Sequence, residues 1–246
     1  MSDLVLIEKH ENHAVLTLNR PDKRNAVNIE LADAIIAALT ELEEVPVIVV
    51  TGAGDRAFCA GVDLKERKRT WSTSLGVARG QYWVDVNEAI RKHPSVFIAA
   101  VNGFALGGGL TLVNNCELAV AADSATFGMP ELSFGVFPGL AGPTTMRRIL
   151  PKHAAQMIFT AQRIDAQTAL RWGIINEVVE PQRLLQRANE LAAAVGQWSN
   201  ITLGFAKRAY RELTEKGWAD GIDYANHITS LIVAQRTLHP SEGASS

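Results

Sequence analysis

The sequence predicts an α/β domain built on parallel strands, with a helical C-terminal third. Three observations carry that prediction. Continuous apolar runs at residues 47–50, 96–101 and 118–122 read as strands buried on both faces. Each run ends in a turn cluster: Thr51-Gly52-Ala53-Gly54-Asp55, Asn102-Gly103 and Asp123-Ser124. Helical spacing fills two of the intervals, which is a repeated β–α unit. In such folds ligands bind at the loops beyond the strand ends.

The elements follow in order. Residues 4–8 and 14–18 alternate about Asn12-His13 and read as a β-hairpin. Pro21-Asp22 marks a turn in the loop that follows. Asn28 is an N-cap for a helix on which Leu31, Ile35, Ala38, Leu39 and Leu42 share a face, ended by Pro46. Residues 64–92 are helix-rich but irregular, weakened by Gly76 and Gly80 and closed by Pro94. Gly107 to Gly109 open a short helix through about Asn115. Beyond Pro143 the chain turns helical. Leu184, Leu185, Ala188, Leu191, Ala192 and Val195 form one apolar stripe, and further helices run near 201–215 and 219–236. There is no linker. Residues 1–195 read as the core and 196–246 as a helical C-terminal region of the same domain.

Composition narrows the function. A chain of 246 residues buries a full core without disulfide or metal staples. Its 47% apolar content excludes a disordered chain. Net charge is −2 with the signs well mixed, which argues against nucleic acid as partner. Lys65, Arg67, Lys68 and Arg69 make one basic cluster, either a solvated face or a landing patch for a phosphate-bearing small molecule. Cys59 and Cys116 do not read as a disulfide framework, so reduced thiols and a cytoplasmic location are expected. The first residues lack the pattern of a signal peptide. Residues 95–113 contain no charge, but Asn102 and four glycines break them into strand, loop and helix rather than a membrane span.

Three constellations can carry chemistry. Gly107-Gly108-Gly109 lies between a strand and a helix, where unpaired N–H groups meet the positive end of the helix dipole. That arrangement suits a phosphate or a developing oxyanion; a close helix–strand contact explains it equally. Phe58-Cys59-Ala60-Gly61-Val62-Asp63-Leu64 offers a second free amide, at Val62, and two such amides can converge on one oxygen. Asp63 serves as a helix N-cap as readily as in catalysis. Met129-Pro130-Glu131-Leu132 sets a carboxylate among apolar neighbours. Packed inward, Glu131 is suited to proton transfer; packed outward, it is an ordinary loop glutamate. There is no Gly-x-Ser-x-Gly elbow, phosphate loop, dinucleotide fingerprint or zinc spacing. Trp71, Tyr82 and Trp83 read as core aromatics, some of which can line an acyl pocket.

Taken together, five ordered motifs resemble the enoyl-CoA hydratase/isomerase, or crotonase, superfamily. They are Asn19-Arg20-Pro21-Asp22-Lys23-Arg24-Asn25-Ala26, Phe58 to Leu64 as above, Ala100-Val101-Asn102-Gly103-Phe104-Ala105-Leu106-Gly107-Gly108-Gly109, Phe127-Gly128-Met129-Pro130-Glu131, and Ala169-Leu170-Arg171-Trp172-Gly173-Ile174-Ile175-Asn176. The resemblance implies a crotonase-type ββα spiral with a helical C-terminal trimerisation region, assembled as a homotrimer or a hexamer. It implies an acyl-CoA substrate, with coenzyme A entering as part of the substrate and no cofactor or metal besides. The thioester oxygen would sit between the amides of Val62 and Gly108. Lys23, Arg24, Ala26, Ala60, Asp63 and Leu64 match positions that hold CoA.

One departure stands out. Hydratases of this superfamily carry two glutamates, and only the second matches, at Glu131. The first falls on Thr111, which has no useful acid or base strength. Thr111 is therefore expected to contact water or substrate. A similar replacement occurs in the hydroxycinnamoyl-CoA hydratase-lyase branch. A single carboxylate also suits a Δ3-Δ2-enoyl-CoA isomerase, and a non-catalytic acyl-CoA binder is a further alternative. Thioester hydrolysis of the Clp-protease kind would need a serine where Leu110 and Thr111 stand. Asn114 and Asn115 follow three and four residues on, where one or both can share the helix face of Thr111 and help hold water, or serve in packing or helix-end capping.

Overall fold

A computed structural model describes residues 3–63 and 81–238. The expectations for Leu64, the 65–69 basic cluster, Trp71, the helical reading of 64–80 and residues 239–246 lie outside these. In chain order the strands are β1 (Val5–Lys9), β2 (Ala14–Leu18), β3 (Val47–Gly52), β4 (Ala57–Cys59), β5 (Val96–Val101), β6 (Phe104–Leu106), β7 (Leu118–Ala122), β8 (Thr126–Gly128), β9 (Ile164–Asp165) and β10 (Glu177–Val179). The helices are α1 (Ile29–Glu41), α2 (Gln81–Lys92), α3 (Gly108–Asn115), α4 (Ala141–Met146), α5 (Pro151–Thr160), α6 (Ala166–Trp172), α7 (Leu184–Gly196), α8 (Asn200–Leu213) and α9 (Trp218–Leu238).

The strands form two sheets. In the larger, the order is β1-β2-β3-β5-β7-β10, antiparallel only at the β1–β2 hairpin. Both faces of its central strands β3, β5 and β7 are buried. Ile48, Val50, Phe97, Ala99, Val101, Ala119 and Ala121 face the main core. Val47, Val49, Ile98, Ala100, Val120 and Ala122 alternate onto the other face, covered by Leu184, Ala188 and Ala192 of α7. Leu185, read from the sequence as part of that apolar stripe, is exposed. Its position beside Leu184 turns it about 100° away around the helix.

The smaller sheet, β4-β6-β8-β9, is made of strands of two or three residues that the sequence pattern does not announce. Corners joined by side chains create it. Asn102 Nδ2 donates to the Gly52 and Gly54 carbonyls, both at 2.8 Å. The fully buried Asn25 donates to Ala53 O at 3.0 Å and Ala57 O at 2.7 Å. Each long strand thereby turns sharply into a short one, giving the ββα spiral. At the start of α1, Asn28 Oδ1 accepts from the Leu31 amide at 3.1 Å, as an N-cap should. At the other end of the chain, α9 packs on α8.

Candidate active site

The site forms where the two sheets turn. Gly107 sits at φ +52°, in the left-handed region, and donates its N–H to Gly128 O at 2.9 Å. Gly108 is then the first residue of α3, and its N–H has no carbonyl four residues back. Gly61, at φ +88°, turns the other loop toward it. A Cβ on Gly61 would lie 3.1 Å from the Gly108 nitrogen, so the loop and the helix start touch.

That loop is fastened from behind. Ala60 N donates to Arg24 O at 3.0 Å, Val27 N to Gly61 O at 2.8 Å and Asp63 N to Val27 O at 2.8 Å. Val27 and Val62 thus form a parallel bridge that uses the peptides on either side of Val62. The Val62 N–H itself is left outside that bridge. Val62 and Gly108, 46 residues apart in sequence, thus stand in segments that touch.

Glu131 stands on the 3-10 turn Pro130–Phe134 and is half-buried. Its Oε1 lies 2.7 Å from where a Cβ on Gly107 would be, so the carboxylate occupies the space the glycine leaves. The inward alternative read from the sequence is the one the chain adopts. Thr111, one turn into α3, is fully buried, and its hydroxyl donates to the Gly107 carbonyl at 3.4 Å. Asn114 donates to Thr145 Oγ1 at 2.9 Å and Asn115 to Asn87 Oδ1 at 2.6 Å, fixing α3 to α4 and α2. Both are packing residues.

Lys23 and Arg24 lie exposed on the turn next to the Ala60 loop. Ala26 is buried, and its amide donates to Lys23 O at 3.1 Å. The Asp63 carboxylate accepts from both Arg20 Nη atoms at 3.2 Å, and Arg20 also donates to Ala26 O. Arg20 and Asn25 hold the two loops together; both fall inside the Asn19–Ala26 motif, which marks the segment but not these two roles. Cys59 and Cys116 are unpaired with each other and buried, and burial pushes both thiols up to about 12, far from thiolate chemistry at neutral pH. Glu117 is occupied in the structure by Arg211 at 2.5 Å and the Phe97 amide at 2.9 Å. No cluster of metal-ligating side chains occurs among the described residues. Among them, no helix is long and apolar enough to cross a membrane.

Comparison with known proteins gives the family and the fold. The profile of the family described as enoyl-CoA hydratase/isomerase matches residues 8–243. A short-chain-enoyl-CoA hydratase of Clostridium acetobutylicum is 37% identical over 209 residues, 83% of this chain and 80% of its own. A crotonyl-CoA hydratase of Syntrophomonas wolfei is 36% identical, covering 91% of this chain and 86% of its own. The crystal structure of an enoyl-CoA hydratase from Mycobacterium smegmatis superposes with a TM-score of 0.88 at 26% identity over 99% of each chain. The chain belongs to the enoyl-CoA hydratase/isomerase family of the crotonase superfamily.

Proposed function

We propose that the chain acts on an enoyl-CoA, with the thioester oxygen held between the Val62 and Gly108 amides and Glu131 as the single acid/base. The observation that carries this is the carboxylate of Glu131 lodged over Gly107, next to the helix-start amide. Charge that builds on the thioester oxygen during reaction meets donors already in place, worth on the order of 3 kcal/mol each. For hydration, Glu131 takes a proton from water as the water oxygen bonds to C3. Electrons move to the thioester oxygen, and the proton returns to C2. The hydratase names of the relatives support this direction.

A second reading is favoured by Thr111. Its hydroxyl is turned back onto its own helix, so it supplies no second acid or base. Double-bond isomerisation needs only one: Glu131 removes a proton from C2 of a 3-enoyl-CoA and returns it to C4. In both readings Lys23 and Arg24, beside the Ala60–Asp63 loop, would receive the CoA phosphates, and no cofactor of its own is required. Two buried, unpaired thiols suit a cytoplasmic protein. A trimer or hexamer is the assembly this reading carries with it.

Mass spectrometry after incubation with trans-2- and trans-3-enoyl-CoA separates the chemistries, as gain of one water or as a shifted double bond at constant mass. Glu131→Gln should lower either turnover by about 10²- to 10⁴-fold, with acyl-CoA binding within about twofold of wild type. Undiminished turnover would remove Glu131 from the mechanism.

A further inference from the structure

Trp83 leaves one hydrogen-bond donor unanswered at this site. It stands on α2, fully buried, and its indole N–H has no acceptor among the described residues. A buried tryptophan N–H ordinarily finds one. The ring is rigidly carried: Trp83 O accepts from Asn87 Nδ2 at 2.6 Å, and Asn87 Oδ1 accepts from Asn115 of α3 at 2.6 Å.

The indole rests on the first residue of α3. A Cβ built on Gly108 would lie 2.5 Å from Nε1, 3.1 Å from Cδ1 and 3.2 Å from Cε2. Both ring carbons are too close for Gly108 to lie straight ahead of the N–H. The glycine sits against the face of the ring at its nitrogen, and the N–H runs past it. Gly108 therefore brings an unpaired donor alongside the free amide at the start of α3.

We propose that Trp83 is a substrate-binding residue whose indole N–H donates to an oxygen of the acyl group. The preferred substrates are then acyl-CoAs that carry a keto, hydroxyl or carboxylate oxygen beyond the thioester carbonyl. This rests on the acyl-CoA reading above. A carbonyl oxygen has two acceptor lone pairs, and the Val62 and Gly108 amides take both. A third donor needs another oxygen. A plain alkyl chain leaves the N–H buried and unpaired, and sites with such a group discriminate against the ligand that fails to pair it.

Calorimetry with four acyl-CoAs that lack the reactive double bond tests this: hexanoyl-, 4-oxohexanoyl-, 5-hydroxyhexanoyl- and adipoyl-CoA. The full chain should bind at least one oxygen-bearing ligand about tenfold more tightly than hexanoyl-CoA. Trp83→Phe should lose that preference and still bind hexanoyl-CoA. In protein labelled with ¹⁵N-tryptophan, an indole proton signal should move downfield with the preferred ligand and stay in place with hexanoyl-CoA. Binding of all four within about twofold by the wild type overturns the proposal, whether or not the variant folds. So does a preference that survives in Trp83→Phe, or an indole shift that is the same with every ligand. These failures differ from failure of the acyl-CoA reading itself, in which hexanoyl-CoA does not bind and both inferences fall.

Discussion

Gly108 meets two demands that no other residue type meets together. It starts a helix with a free amide, and it lies under the Trp83 ring with no room for a methyl group. Gly108→Ala forces the indole or the helix start to move, since the added carbon would stand 2.5 Å from Nε1. Overpacking of this kind costs about 1–3 kcal/mol, to be read from urea unfolding. Displacing the amide from the thioester oxygen should lower kcat by about 10²-fold or more, and a variant that keeps full turnover would show that this amide holds no oxyanion. Glu131 and the glycines were legible in the sequence because they sit in short contiguous motifs. The roles of Arg20 and Asn25, although both lie in a quoted motif, and of the Trp83 donor were not, because each acquires its role from a partner that only folding supplies: Asp63, Ala57 and Gly108.

The same contrast holds for whole elements. Strands β3, β5 and β7 and helices α1 and α3 follow from apolar runs, turn residues and an N-cap, all of which act locally. The second sheet does not, because strands of two or three residues carry no period, and distant asparagine side chains define their corners. Helix α8 shows how such long-range fixing works. Lys207 is buried and donates to Ile90 O at 2.9 Å and Ser95 O at 2.7 Å, with Glu117 at 3.8 Å and the Phe97 ring beneath it. Lys207→Met keeps the apolar stem and orphans both carbonyls; a loss of about 2–4 kcal/mol in urea unfolding is expected. His93 joins α1 to β5 in the same region. Its Nε2 lies 2.9 Å from Leu39 O, and its Nδ1 accepts from Ser95 N at 3.2 Å, a pattern only the neutral ring satisfies. Burial, foremost, holds its pKa below the ordinary 6.5. The unfolded chain therefore takes up the proton first as pH falls, and stability drops as pH passes downward through 6.5 and below. His93→Gln should flatten that slope in melts taken across pH 5–7; an unchanged slope would assign it to other groups, among them His13, whose pKa burial also lowers.

At the scale of the whole molecule, several large apolar side chains of the described chain stand exposed. Trp218 is 85% exposed, Phe159 76% and Leu150 67%, and Tyr210, Ile222 and Val233 are exposed on the two C-terminal helices. Helix α9 buries Ile228 while exposing Ile222 and Val233, so its apolar residues are not confined to one side. A helix patterned in this way belongs between two layers, and within the chain it packs on α8. In the trimeric assembly proposed above, a neighbouring copy would supply the second layer. Light scattering at micromolar concentration should then give about three or six times the chain mass of 26.7 kDa. Trp218→Glu combined with Val233→Glu should shift the mass toward a single chain while the far-ultraviolet dichroism stays native, because neither side chain supports the spiral core. A wild-type mass of one chain would mean that these helices serve some other purpose, and the acyl-CoA site would then have to be complete within one copy.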